Sequence, residues 1–180
     1  MTGAPEPYLG LASVLGRDQS ATDAAVGALV HRFGEPAFVS RVMAFPWTSY
    51  YRDELGSEPV RRIVVLAAPT DPSQLAALKR TTCRMEVALS RPGAPRAVNI
   101  DPGVLNESQL VLASTKPRAH RIYLGQGIYG DLMLLRQQAG FAALPWTYPD
   151  YADAEVRILL DRIRSLLLLR RRLAQPDGGQ

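Results

Sequence analysis

Residues 121–131 read RIYLGQGIYGD, and within them Gly125, Gly127 and Gly130 spell G-x-G-x-x-G. Two folds compete for this string. A dinucleotide-binding loop needs a strand before it, a helix of useful length directly after it and an acid further on, all within a parallel α/β sheet. A β-hairpin needs only two alternating segments and glycines to turn between them. After Gly130 only DLMLLRQQA remains before Gly140, too short for a helix that crosses back over a sheet. Ile122 and Leu124 alternate with Arg121 and Tyr123, and beyond the turn Ile128, Leu132 and Leu134 share one parity. The next segment is broken by Pro145 and Pro149, so no strand there carries an acid at the required distance. The stretch reads as a hairpin.

Upstream of it the periodicities alternate. YLGLASV (8–14) reads as a strand, and Ser20 or Thr22 can cap a helix whose Val26, Leu29, Val30 and Phe33 fall at i, i+3, i+4, i+7 before Gly34 stops it. AFVSRVMAF (37–45) and VRRIVVLA (60–67) read as the second and third strands, with WTSYYRDELG a turn or short helix between them. Asp71 caps a second helix, with Pro72 at its first position and Gln74 placed to reach back; it runs through Leu75, Leu78, Thr82, Met85 and Leu89. RAVNI (96–100) is the fourth strand. The order β-α-β-β-α-β is the split pattern of a ferredoxin-like α+β domain.

Downstream, Asn106 and the residues after it read as a cap opening at most two helical turns. Strands follow at 119–124 and 128–137, then a proline-broken connection, GFAALPWTYPDY. A long helix from about Asp153 to Ala174 carries an apolar stripe of Val156, Leu159, Leu160, Ile163, Leu166, Leu167 and Leu173. The stripe is expected on the sheet, with a homodimer seam as the alternative, so the chain is read as monomer or homodimer. The expected fold is α+β: a ferredoxin-like core extended by a β-hairpin and a long C-terminal helix. It forms one domain over 1–180 with flexible tails at 1–7 and 175–180.

Composition narrows the function classes. With 47% apolar and 21% charged residues the chain is globular, and no run approaches the ~20 apolar residues that span a bilayer. The N-terminus has no basic region ahead of its short apolar run, so a cytoplasmic location is expected, with no membrane partner. Cys83 stands alone, which leaves no disulfide framework; it reads as a small core residue. With no Cys/His cluster and no H-E-x-x-H, neither a metal nor another cofactor is expected. Two histidines and no G-x-S-x-G leave little from which to build a hydrolytic triad. The net charge of +4 invites nucleic acid as a partner. However, only Lys79 and Lys116 are lysines, and Arg170, Arg171 and Arg172 end the last helix, where the backbone dipole favours cations. Nucleic acid is therefore not the expected partner.

Three segments mix aromatics with groups capable of chemistry: FPWTSYYRDELG (45–56), NIDPG (99–103) and ASTKPRAHRIYLG (113–125). Lys116, His120 and Arg121, with the Ser114 and Thr115 hydroxyls, are what a carboxylate or phosphate ligand requires. Together with LPWTYPDY (144–151), these segments resemble a bacterial family known as a domain of unknown function, some members of which carry a GTP-binding label. The resemblance runs from Tyr8 to the last helix and implies no established activity. The chain lacks the G-x-x-x-x-G-K-[ST] loop that would support the label. The family pattern falls on Thr48, Tyr51 and Glu54, on Asp101, on Lys116, His120 and Arg121, and on Trp146. It departs at Pro46 and Trp47, where an acid and another aromatic are expected, and at Arg118, where an aromatic is expected. The functional expectation is a small anionic ligand bound by Lys116, His120 and Arg121. Asp101 and Glu54 would be acid–base or metal partners, Tyr51 and Trp146 walls, and Thr48 a further contact. Should the protein be an enzyme, His120 is the candidate catalytic proton carrier, its ordinary pKa being nearest neutrality. The rival readings are a non-catalytic interaction module and, ranked below it, RNA binding. Strand parity separates His120 from Arg121, so Lys116 and His120 are expected at one pocket near Asp101, with Arg121 bracing the fold through a carboxylate.

Overall fold

The computed structural model describes residues 8–47 and 51–174; Thr48 and the tails at 1–7 and 175–180 lie outside them. Strand β1 (Tyr8–Gly16) leads to helix α1 (Gln19–Phe33), short strands β2 (Pro36–Val39) and β3 (Met43–Ala44), and the single turn α2 (Arg52–Leu55). Then come β4 (Val60–Thr70), α3 (Leu75–Ala88), β5 (Val98–Leu105) and β6 (Gln109–Ser114). The chain continues through β7 (Ile122–Gly125), β8 (Ile128–Gln137), β9 (Gly140–Ala143), the turn α4 (Pro149–Ala152) and α5 (Ala154–Ala174). One antiparallel sheet runs in the order β2-β4-β1-β5-β6-β8-β7. Its first four strands have the order and the two crossover helices of the ferredoxin-like pattern, and β6 to β9 extend it past β5. The α+β class holds.

Each face has its own cover. Ala12, Val14, Val64, Val98 and Ile100 pack under α1 and the end of α3. The opposite parity, Leu9, Leu11, Ile63, Val65 and Leu105, meets Val156, Leu160, Ile163 and Leu167 of α5. That is the stripe expected from the sequence, except that Leu173 is exposed. The hairpin at 121–131 is also present: Gly125, Gln126 and Gly127 turn it with φ of 96°, 56° and 76°. Such left-handed angles suit glycine and account for both flanking positions.

Four local expectations are corrected. Asp18, not Ser20 or Thr22, caps α1 through the Ala21 amide at 2.7 Å. The run 37–45 is two strands, because Ser40 turns inward and its Oγ accepts the Ile63 amide. Asn106 opens no helix; its Oδ1 accepts the Ser108 and Gln109 amides and folds the tight β5–β6 turn. The fourth strand continues through Pro102 to Leu105. Pro102 pairs opposite Ala12 of β1, and its missing N–H points away from that partner.

Candidate functional site

The direction of that missing N–H opens the sheet. β5 pairs with β6 only along Gly103–Leu105. Below Gly103, whose Cβ would stand 2.6 Å from Leu112, the two strands part. The unpaired rim of β5 is met by side chains of α3: Glu86 accepts the Ile100 amide at 2.7 Å, and Lys79 Nζ donates to the Ile100 carbonyl at 3.2 Å. Lys79 reaches through the split to Asp101 at 2.7 Å, and Asn99 Nδ2 donates to the other Asp101 oxygen at 2.6 Å. Arg96 closes the chain by bonding both Glu86 and Glu54. Burial opposes the charge on Lys79, yet the Asp101 and Glu86 carboxylates hold its pKa above the ordinary value. Burial likewise raises Glu86 against the pull of Lys79, and pushes up the Cys83 thiol beside them. A small cavity of about 130 Å³ marks this split.

It adjoins a larger cavity of about 560 Å³ on the α5 face of the sheet, where α5 does not reach. Ser13, Asn99 and Asp101 form a polar floor, and Phe45, Trp47, Tyr51 and Tyr148 supply aromatic wall. Arg61 enters between the Phe45 and Tyr151 rings, 5.5 and 5.3 Å from their centroids, and pairs with the buried Asp150. Burial raises the Asp150 carboxyl although Arg61 pulls it down.

The third wall is the 115–121 loop, which is not the strand that the parity argument assumed. A turn closed by the Arg121 amide on the Arg118 carbonyl re-aims its side chains. Arg121 is the hub. Nε donates to Asp131 Oδ2 at 2.8 Å, Nη1 to Ser114 Oγ and the Lys116 carbonyl at 2.7 Å each, and Nη2 to the Tyr148 hydroxyl. The Lys116 amide bonds back to Ser114 Oγ at 3.2 Å. Arg121 therefore clamps β6, β8, the loop and the 148 segment together, while Lys116, Arg118 and His120 are left along the cavity.

Residues 7–166 match the family model described as a domain of unknown function, DUF4416. The chain belongs to that family. No curated protein and no solved structure matches it. The DUF4416 match spans every residue named at the two cavities and stops inside α5, before Arg170. The family description names no ligand, and the GTP-binding label gains no support from it.

Within this DUF4416 chain the residues singled out from sequence divide into two groups. Asp101, Lys116, His120, Arg121 and Tyr51 all line the larger cavity. Glu54 does not; it is held by Arg96. Trp146 lies behind the loop, where its indole stacks on the His120 ring at 5.0 Å and its Nε1 donates to the Leu132 carbonyl. No group of three or more His, Cys, Asp or Glu among the described residues is placed to hold a metal ion. Sequence reasoning missed Arg61, Lys79, Glu86, Asp131 and Asp150. Three carried a signal. Arg61 shares strand parity with Ile63 and Val65, and Lys79 and Glu86 fall with Leu75 and Thr82 at i, i+4, i+7, i+11 on the inner face of α3. Asp131 carried none, because a bulge opposite Leu110 and Val111 admits an extra residue into β8 and buries both Met133 and Leu134.

Proposed function

We propose that the larger cavity binds a small organic anion, with its charged group at Lys116, Arg118 and His120 and its body against the aromatic wall. One observation carries the reading. Of the lining residues, four are Lys or Arg against two carboxylates, and two of the four, Arg61 and Arg121, are already paired inside the protein with Asp150 and Asp131. An anion arriving at the exposed Lys116 and Arg118 breaks neither pair. A carboxylate or phosphate fits such a site through charge-assisted hydrogen bonds, and the volume suits a metabolite-sized molecule. Asp101 and Asn99 on the floor offer acceptors to ligand hydroxyl or amino groups. An interaction module is the second reading, favoured by Ile122, Tyr123 and Leu124, which lie exposed in a row on the edge strand β7. RNA ranks below both, since Arg170 and Arg171 are engaged by the Ala67 carbonyl and Glu107.

Native mass spectrometry of freshly purified protein, followed by thermal melts with a panel of carboxylates and phosphates, tests the proposal. A ligand at a hundredfold excess over its Kd adds about 2.7 kcal/mol, a rise of roughly 5–11 °C for a chain of this size. K116A/R118A should lose that rise and keep the unliganded melting temperature. GTP with magnesium should show no saturation at low micromolar concentration by calorimetry. Absence of a retained ligand, with no panel member moving the melt at millimolar concentration, refutes the reading.

A further inference from the structure

We infer that His120 is an acid–base group of the cavity and that Asp131 is its positioning residue, holding the imidazole as the Nε2–H tautomer with its lone pair on Nδ1. The inference rests on the cavity being a ligand site, and turns that site from one that holds an anion into one that moves a proton on it.

Asp131 lies on β8 and is 2% exposed. Its two oxygens are treated differently. Oδ2 takes the Arg121 guanidinium, whereas Oδ1 is shut off from solvent with no aligned donor and is approached by His120 Nε2 at 3.3 Å. A buried carboxylate oxygen without a donor is costly, at least as much as a lost charged hydrogen bond. With a proton on Nε2, a small rotation of the ring satisfies it. With the proton on Nδ1, the Nε2 lone pair faces the carboxylate and both are left unmatched. The Trp146 ring, 12° from parallel with the imidazole and anchored through Nε1 on the Leu132 carbonyl, fixes the plane in which that rotation occurs. Hydrogen bonds of this kind are often long before a ligand arrives and tighten afterwards. Among the described residues Nδ1 has no protein partner, and His120 lines the cavity.

A base on a fixed ring beside Lys116 and Arg118 suits a small carboxylate or phosphate ester that carries a hydroxyl or an activated C–H next to its anionic group. Nδ1 takes the proton and the bond's electron pair stays on the substrate oxygen or carbon. The ring becomes a cation with N–H on both nitrogens, the second of them facing the Asp131 charge. Return of that proton to a different atom of the same molecule completes a rearrangement with no oxidant or second substrate.

The test needs no ligand. In protein labelled with ¹⁵N at histidine and held at a pH of about 8.5, above the ordinary imidazole range, long-range ¹H–¹⁵N correlation should show a low-field ring proton on Nε2 of His120. It should be protected from exchange, while His31, exposed on α1, shows none. D131N should speed its exchange by about tenfold or more, the factor that about 1.4 kcal/mol of a charged hydrogen bond represents. K116A/R118A should leave the resonance in place while abolishing anion binding, which separates failure of this inference from failure of the binding site. A proton on Nδ1, or an Nε2 proton exchanging as fast as that of a free imidazole, overturns it. Should D131N not fold, the wild-type tautomer and exchange rate decide the matter alone.

Discussion

Removing the Arg61 guanidinium should destabilise the protein far more than removing the ion pair altogether. The Arg61 side chain is 3% exposed and that of Asp150 10%, so Arg61→Met leaves a largely desolvated carboxylate without its cation. Breaking a buried pair from one side costs about 3–5 kcal/mol. With a urea m-value of roughly 2 kcal/mol per molar for a chain of this size, the unfolding midpoint should fall by roughly 1.5–2.5 M. Arg61→Met/Asp150→Leu should recover most of the loss, because the desolvated charge is gone and Phe45 and Tyr151 remain to pack on the new side chains. The pH dependence has a definite sign. The folded Asp150 carboxyl titrates above the ordinary 3.8, burial being the first cause and Arg61 the opposing one. Its contribution to stability is thus fully present below that unfolded-chain value and is lost as pH rises through the folded one. Without Arg61 the folded value moves higher still, so the penalty of Arg61→Met should be smaller at pH 5 than at pH 8. Equilibrium urea unfolding of wild type, single and double variants at both pH values measures all of this. A single variant costing under about 1 kcal/mol, or a double variant no better than the single, refutes the account of the pair.

Glu86→Ala should free the Ile100 amide, with hydrogen exchange at that residue accelerating while the β1–β5 ladder stays protected; the stability cost of the lost cap is about 1–3 kcal/mol. Unchanged Ile100 protection would mean that the split in the sheet is not sealed by α3. Exchanging Arg170, Arg171 and Arg172 together for Gln should cost about 1 kcal/mol or less, since the Arg171–Glu107 pair is one-third exposed, and should leave anion binding intact. A loss of affinity for RNA with a shallower salt dependence would instead promote the nucleic-acid reading.

What could be read from the sequence was what period and punctuation encode. The hairpin at Gly125–Gly127, the two crossover helices and the α5 stripe follow from local rules that the tertiary structure did not override. What was misread turned on partners distant in the chain. Pro102 looks like the end of a strand because the residue alone does not tell which neighbour its absent N–H would have faced. Arg121 reads both as a ligand contact and as a brace on a carboxylate, and the sequence does not choose between them because its four partners come from β6, β8, its own loop and the segment at Tyr148. The LPWTY run looked like a broken connection. In the fold it is a strap along β8, with Trp146 and Thr147 bonding the carbonyls of Leu132 and Met133 at the bulge.

That strap explains how the site is held. The bulge in β8 exposes two carbonyls that the ladder with β6 does not use, and Trp146 and Thr147 take them. With Trp146 fixed, its ring fixes that of His120; with Tyr148 fixed two residues on, its hydroxyl meets Arg121, which in turn holds the Lys116 carbonyl. The lysine and the histidine thus sit on one irregular loop whose backbone and ring are tied to the same bulge by two separate routes. A loop so tied loses little conformational freedom when a ligand arrives, so less of the binding energy is spent on ordering it. The arrangement also makes Arg121 and Trp146 separable by experiment. Arg121→Lys, which keeps the charge but not the fork, should loosen Lys116 and weaken anion binding while the His120–Trp146 stack survives. Trp146→Leu should do the reverse, freeing the imidazole while the Lys116 backbone stays pinned. Backbone exchange at Lys116 and the ring-current shift of His120 read the two routes independently. If both variants disturb both readouts equally, the loop is one cooperative unit and the two-route account fails.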